Sequence, residues 1–199
     1  MITLDVVPLV TYVLATIFSP GPNNLYSASL GINQGYAKTL PFLLGICSGY
    51  FVLMMLCAFA SNQLIQTFPA VQQGLSYVGA GYIVYLAYST FRSELTGSDN
   101  AEPMQYAYLK GALLQLVNPK AIIFGFTLFT TLLSPLNGHF IGLAVAALIL
   151  SVTTLSAVSL WTMFGAIARQ KLEHEGTKRK VKTVLAALLL YTAANLLLG

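Results

Sequence analysis

The sequence predicts an all-α integral membrane protein: six transmembrane helices forming two inverted three-helix repeats, with helices one and four broken. Three observations carry that expectation. Of 199 residues, 56% are hydrophobic and 8% charged, against roughly 25% charged in an average soluble domain. The apolar residues fall into six runs of about the 20 residues that cross a bilayer. Two of those runs, in corresponding places, carry proline-centred interruptions, Pro20-Gly21-Pro22 and Asn118-Pro119-Lys120. Six spans use about 120 positions, so no soluble catalytic domain fits.

The first span runs from Val6 to Gly31. It has no basic leader and no small-residue cleavage pattern, so it reads as a retained span rather than a removable signal. Gly35 and Lys38 separate it from the second, Leu40 to Ala60, and Phe68-Pro69 precede the third, Val71 to Phe91. Charged and turn residues from Arg92 to Glu102 form the longest connection. The fourth span covers Tyr106 to Leu133; a turn at Ser134-Pro135-Leu136-Asn137-Gly138 leads to the fifth, Phe140 to Ala168; and a basic run from Arg169 to Lys182 precedes the sixth, Thr183 to Leu198. The whole chain, 1–199, is one transmembrane domain with repeats at 1–95 and 104–199. Three spans per half is an odd number, so matching halves insert with opposite orientation.

Lys38, Arg92, Arg169, Lys171, Lys178, Arg179, Lys180 and Lys182 all lie in the loops after spans one, three and five, with Lys110 at the mouth of span four. Basic residues near span ends stay cytoplasmic, so both termini are expected outside, in the periplasm of a bacterial inner membrane. The run from Arg169 to Lys182 also suits anionic lipid. The formal charge of +4 is spread over membrane edges rather than gathered in an aromatic-interleaved patch, so no nucleic-acid partner is expected.

The chemistry gathers at the two interruptions. A proline has no amide hydrogen and crowds the carbonyl four residues back. Pro20 and Pro22 therefore free the carbonyls of Thr16 and Phe18, and Gly21 loosens the chain between them. Asn23 and Asn24 follow with amide side chains. In the fourth span Pro119 frees the carbonyl of Gln115, beside the amides of Gln115 and Asn118. Hydrocarbon does not tolerate such groups unless protein or a water-filled cavity surrounds them. Lys120 lies about 15 Å deeper than Lys110 on a regular helix. A charge there is costly, which makes it a functional candidate; the plainer alternative is a lysine snorkelling to the surface from an interfacial segment. A plain packing kink is the alternative for the first break, although one proline would suffice for that. The candidate binding residues are Pro20, Gly21, Pro22, Asn23, Asn24, Gln115, Asn118, Pro119 and Lys120.

Other features read as packing. Gly45 and Gly49, with Ser48, make a small-residue face on span two, and Gly74, Gly79 and Gly81 thin span three; such faces bring helices close within a chain or permit a homodimer. Tyr82, Tyr85 and Tyr88 follow a three-residue spacing that suits packing more than a cavity. The hydroxyls of span five, at Ser151, Thr153, Thr154, Ser156, Ser159 and Thr162, are expected to bond mostly to their own helix carbonyls, with one or two free to face a pathway. Trp161, Tyr106 and Tyr108 suit a cytoplasmic interfacial belt. Cys47 and Cys57 are ten positions apart on one helix, too far to bridge. His139 and His174 fall in loops on opposite sides, and Asp5 is the one carboxylate at a span edge. No metal site, cofactor, catalytic residue or intramembrane protease constellation is expected.

Ser19-Pro20-Gly21-Pro22-Asn23, the glycines between Gly31 and Gly49, and Asn118-Pro119-Lys120 together make the chain resemble the LysE/RhtB family of bacterial amino-acid exporters over nearly its whole length. Pro20-Gly21-Pro22-Asn23-Asn24, Gly79-Ala80-Gly81-Tyr82-Ile83-Val84-Tyr85-Leu86-Ala87 and Gln115-Leu116-Val117-Asn118-Pro119-Lys120 look closest to the cysteine and O-acetylserine exporters within it. The resemblance implies efflux of a small neutral amino acid, driven by an ion gradient with protons the expected ion. A passive channel and a membrane scaffold are the alternatives. Thiol-disulfide electron carriers of similar architecture need cysteines on facing helices of the two halves, and both cysteines here lie in the first half.

Overall fold

The computed structural model describes residues 6–61, 104–171 and 175–198, with seven helical positions between 77 and 91. The described residues are helical throughout, with no strand. In chain order the elements are α1 (Val6–Phe18), α2 (Pro22–Gln34), α3 (Tyr36–Ala60), α4 (Met104–Leu116), α5 (Pro119–Thr130), a single 3-10 turn at Ser134–Leu136, α6 (Phe140–Lys171) and α7 (Glu175–Leu198). Both expected breaks are present. The first helix stops at Phe18 and restarts with Pro22; the second stops at Leu116 and restarts with Pro119 after a bend of 54°. Each restart places proline in the first turn, where its fixed φ suits a helix and its missing N–H is no loss.

Two connections differ from the sequence expectation. Between α2 and α3 there is no loop: the chain turns on Gly35 alone, at φ 80°, ψ 175°. Positive φ of this kind is cheap for glycine and strained for other residues, so the corner depends on residue 35, and Lys38 sits inside α3. The basic run expected to lie between spans is also largely helical, because α6 extends to Lys171 and α7 begins at Glu175. Most of the third span, its glycines Gly74 and Gly79, Tyr82, and the connection from Arg92 lie outside the described residues. Of its described side chains, Tyr85 and Tyr88 are exposed rather than lining a cavity.

Among the described residues, Tyr36–Ala60 and Phe140–Arg169 are long and apolar enough to cross a membrane, and the bent pair Gln105–Leu116 with Pro119–Thr130 passes the same test if it is taken as one span rather than a re-entrant loop. Their outer faces are apolar: Leu44, Val52, Leu56 and Phe59 on α3, and Val145, Leu148, Ile149 and Val152 on α6, are all exposed. In water these stripes would be a liability, and in hydrocarbon they are the solvated surface.

The bundle is drawn together by glycine. A methyl group on Gly45 would collide with the Tyr108 carbonyl, one on Gly111 with the Phe42 carbonyl, and one on Gly49 would lie 2.7 Å from the Ala112 carbonyl. This is the small-residue face read from the sequence, and it is taken up inside the chain between α3 and α4. A second such seam joins α2 to α6, where Gly31 meets the Thr162 backbone and Gly165 meets that of Ala28. Because apolar side chains gain nothing from leaving lipid, backbone-close contact of this kind is what holds membrane helices together.

Candidate binding site at the two helix breaks

The chain ends freed by the first break find their partners one by one. Ser19 Oγ donates to the Thr16 carbonyl at 2.8 Å. Asn24 Nδ2 donates to the carbonyls of Ile17 and Ser19, both at 2.9 Å. Trp161 Nε1 reaches across from α6 to the Phe18 carbonyl at 3.2 Å. Lys120 Nζ, from α5, donates to Ser19 Oγ at 2.7 Å, the Ser19 carbonyl at 3.2 Å and the Pro20 carbonyl at 3.4 Å. Lys120 therefore reaches across from α5 to the first break. Gly21 leaves room for it, since a methyl group there would stand 3.1 Å from Lys120 Cδ and Nζ. Trp161, expected in an interfacial belt, is half-buried with its indole N–H tied to the break.

The second break is joined to the first through amides. Asn23 Nδ2 donates to Gln115 Oε1. Asn118 Nδ2 donates to Asn23 Oδ1 at 3.0 Å and to Gln115 Oε1 at 3.2 Å. Gln115 Nε2 and Asn118 Oδ1 are buried with no hydrogen-bond partner among the described residues. Such orphaned polar atoms are costly in a low-dielectric interior, so the cluster has capacity for a further polar group.

A cleft of about 370 Å³, counting its open mouth, lies against this junction. Six of the nine sequence-predicted residues line it: Gly21, Pro22, Asn23, Asn24, Asn118 and Lys120. Gln115 is fully buried within the amide cluster, Pro119 sets the start of α5, and Pro20 is exposed with its carbonyl on Lys120. Neither Gly21 before α2 nor Asn118 before α5 caps its helix with a side chain. Two helix N-termini, uncapped by side chains among the described residues, thus bring N–H groups and positive dipole ends to one cleft, a setting that favours an anion. Beside them, the carbonyls of Ser19 and Pro20 already hold one ammonium group, that of Lys120.

A family model described as LysE type translocator matches residues 14–199. The chain belongs to this family. It is 31% identical over 186 residues to a protein named cysteine/O-acetylserine efflux protein from Salmonella typhimurium, and 30% identical over the same length to one of that name from Escherichia coli strain K12. In both cases 94% of each chain is covered. No solved structure matches the chain. The resemblance read from the motifs is therefore correct at family level.

The motifs of this translocator do not mark every wall of its cleft. Thr16 and Ile17 from α1, Tyr50 from α3, Ala121 and Phe124 from α5, and Thr154 from α6 also line it. Ser19 opens the Ser19-Pro20-Gly21-Pro22-Asn23 motif without being among the candidate binding residues, and it carries two of Lys120's three contacts. For Thr154 the signal was the hydroxyl-rich run of the fifth span, which said nothing of which hydroxyl faces inward.

Proposed function

We propose that the chain exports a small neutral amino acid or derivative, cysteine- or O-acetylserine-like or homoserine or threonine, from the cytoplasm. It acts as a secondary active carrier by alternating access, driven by the proton-motive force. The observation that carries this reading is the pairing of opposite polarities in one cleft: the bare N–H groups of α2 and α5 suit a carboxylate, and the carbonyls of Ser19 and Pro20 suit an ammonium group. That is the charge pattern of an amino-acid zwitterion. In the empty carrier Lys120 occupies the ammonium position; an incoming substrate takes its place, and the displaced lysine turns to the carboxylate. A cationic substrate such as lysine would meet Lys120 with no carboxylate among the lining residues. The printed names of the relatives support the choice of neutral compounds.

Alternating access would come from rocking of the repeats, 1–95 and 104–199, as inverted halves of a six-span bundle about the paired breaks. The orientation is that of the basic residues, with both termini periplasmic. In support, the Arg169 guanidinium approaches the Gly35 corner between α2 and α3, so basic residues from separate connections gather at one end of the bundle. Everted membrane vesicles given labelled cysteine, O-acetylserine, homoserine, threonine or lysine test the proposal. A neutral compound should accumulate above its outside concentration, and an uncoupler should abolish the gradient. Equilibration without accumulation would make the protein a passive channel, a reading that the lack of a carboxylate within the spans favours.

A further inference from the structure

We infer that Thr154, with Tyr50 beside it, forms the subsite for the substrate's side chain and selects neutral side chains that carry a hydrogen-bonding group. The inference rests on the amino-acid reading above. Helix α6 carries hydroxyls along much of its length, and the structure sorts them. Ser151 donates to the Ala147 carbonyl at 2.7 Å, Thr153 to Ile149 at 2.8 Å, Ser156 to Val152 at 3.0 Å and Thr162 to Val158 at 2.7 Å. Ser159 is bonded by the Tyr36 hydroxyl at 3.2 Å. Thr154 differs. It is 4% exposed and lines the cleft, and its Oγ1 makes no well-formed hydrogen bond among the described residues, with the Tyr50 hydroxyl its polar neighbour.

A threonine in a helix normally satisfies its hydroxyl on the carbonyl one turn back, and a buried hydroxyl left unbonded is unfavourable. Thr154 keeps that unfavourable state beside an open space. Tyr50, 3% exposed on α3, lines the same wall, with Ile17, Ala121 and Phe124 supplying apolar surface. A ligand with its carboxylate and ammonium held at the breaks would therefore extend its side chain toward a wall that is apolar except for phenol and hydroxyl groups. A hydroxyl accepts from a thiol or alcohol and donates to an ester carbonyl, so all three side-chain chemistries fit, whereas a methyl group would add no bond to Thr154 or Tyr50. A charged side chain would be desolvated there without a counter-charge.

The test measures initial rates, below saturation, for labelled cysteine, O-acetylserine and 2-aminobutyrate in everted vesicles. The last compound has a methyl group in place of the thiol. The intact protein should prefer the two polar compounds. Thr154→Val, nearly isosteric, should slow both by about 5- to 30-fold, the effect of one hydrogen bond to a buried group, and leave 2-aminobutyrate unchanged. Thr154→Ser should restore the preference, and Tyr50→Phe should reduce it in the same direction. Equal slowing of all three compounds by Thr154→Val, or no change in their ratio, overturns the subsite while the exporter stands. If the intact protein moves none of the three or the other neutral amino acids, the exporter reading falls and the subsite falls with it.

Discussion

At the first break the carbonyls from Thr16 to Pro20 are each met by a side-chain donor, and two of the donors, Trp161 and Lys120, come from other helices. At the second, the Gln115 carbonyl takes the Asn118 N–H at 3.2 Å, and the amides of Gln115 and Asn118 retain buried atoms without partners. Both breaks restart on proline, and both leave their N-termini without a side-chain cap. The difference lies in what surrounds them. The first is a completed frame, met by donors from distant parts of the chain; the second supplies the Lys120 ammonium group and the unmatched amides. Opened backbone in a membrane bundle is tolerated only when something satisfies it, so groups left unmatched at the second break mark where a ligand can add bonds.

The most severe way to break this comparison removes the seam that holds α2, the helix restarted at the first break, against α6. Gly165→Leu would push a side chain into the backbone of Ala28 and Ile32, prising α2 from α6. Backbone cannot yield as a side-chain tip can, so we expect loss of folded protein, seen as aggregation on size-exclusion chromatography in detergent. A monodisperse variant would show that the seam is looser than described.

Lys120→Met tests the link between the breaks. It preserves most of the apolar stem and removes the donor to Ser19 and Pro20. Transport should fall at least about 100-fold, as expected for loss of a charge-assisted contact made at the site, with normal abundance in the membrane. Retained transport would return Lys120 to a structural role. Two asparagines then sharpen the contrast. Asn24→Ala strands the Ile17 carbonyl and should destabilise the fold by about 1–3 kcal/mol, a few degrees in a detergent melt. Asn118→Ala removes two bonds within the amide cluster rather than the partner of a freed carbonyl, and should shift the melt less while raising KM more. The reverse order would exchange the roles assigned to the two breaks.

Much of this arrangement was legible from residue types alone. Proline removes a helix hydrogen bond and crowds the turn before it, so the clusters Pro20-Gly21-Pro22 and Asn118-Pro119 pointed to the breaks without knowledge of the fold, although Pro41 is accommodated inside the unbroken α3. Gly45 and Gly49 likewise announced close packing by their spacing. What could not be read was which element answers which. Phe18's donor is 143 positions away in sequence at Trp161, and an indole on an apolar helix has the same local signature whether it faces an interface or a carbonyl. Thr154 shares its helix with five other hydroxyl residues, and nothing local distinguishes the one that lines the cleft with residues of α1, α3 and α5. The Gly35 corner was read as a loop because a glycine followed by Lys38 suggests an end to apolar sequence, whereas the helix resumes at once.

The smallest expected effect probes whether the first break is frame alone. Trp161→Phe keeps an aromatic ring against the core and deletes the N–H that serves the Phe18 carbonyl. Loss of one neutral hydrogen bond should lower stability by about 1 kcal/mol, or roughly 2–4 °C in melting temperature for a chain of this size. Trp161 does not line the cleft, so KM for the transported compound should stay within about twofold of the intact protein. If KM instead rose tenfold while the melt held steady, the Phe18 carbonyl would be acting on substrate. The completed frame would then be part of the site, and the division between the two breaks would no longer hold.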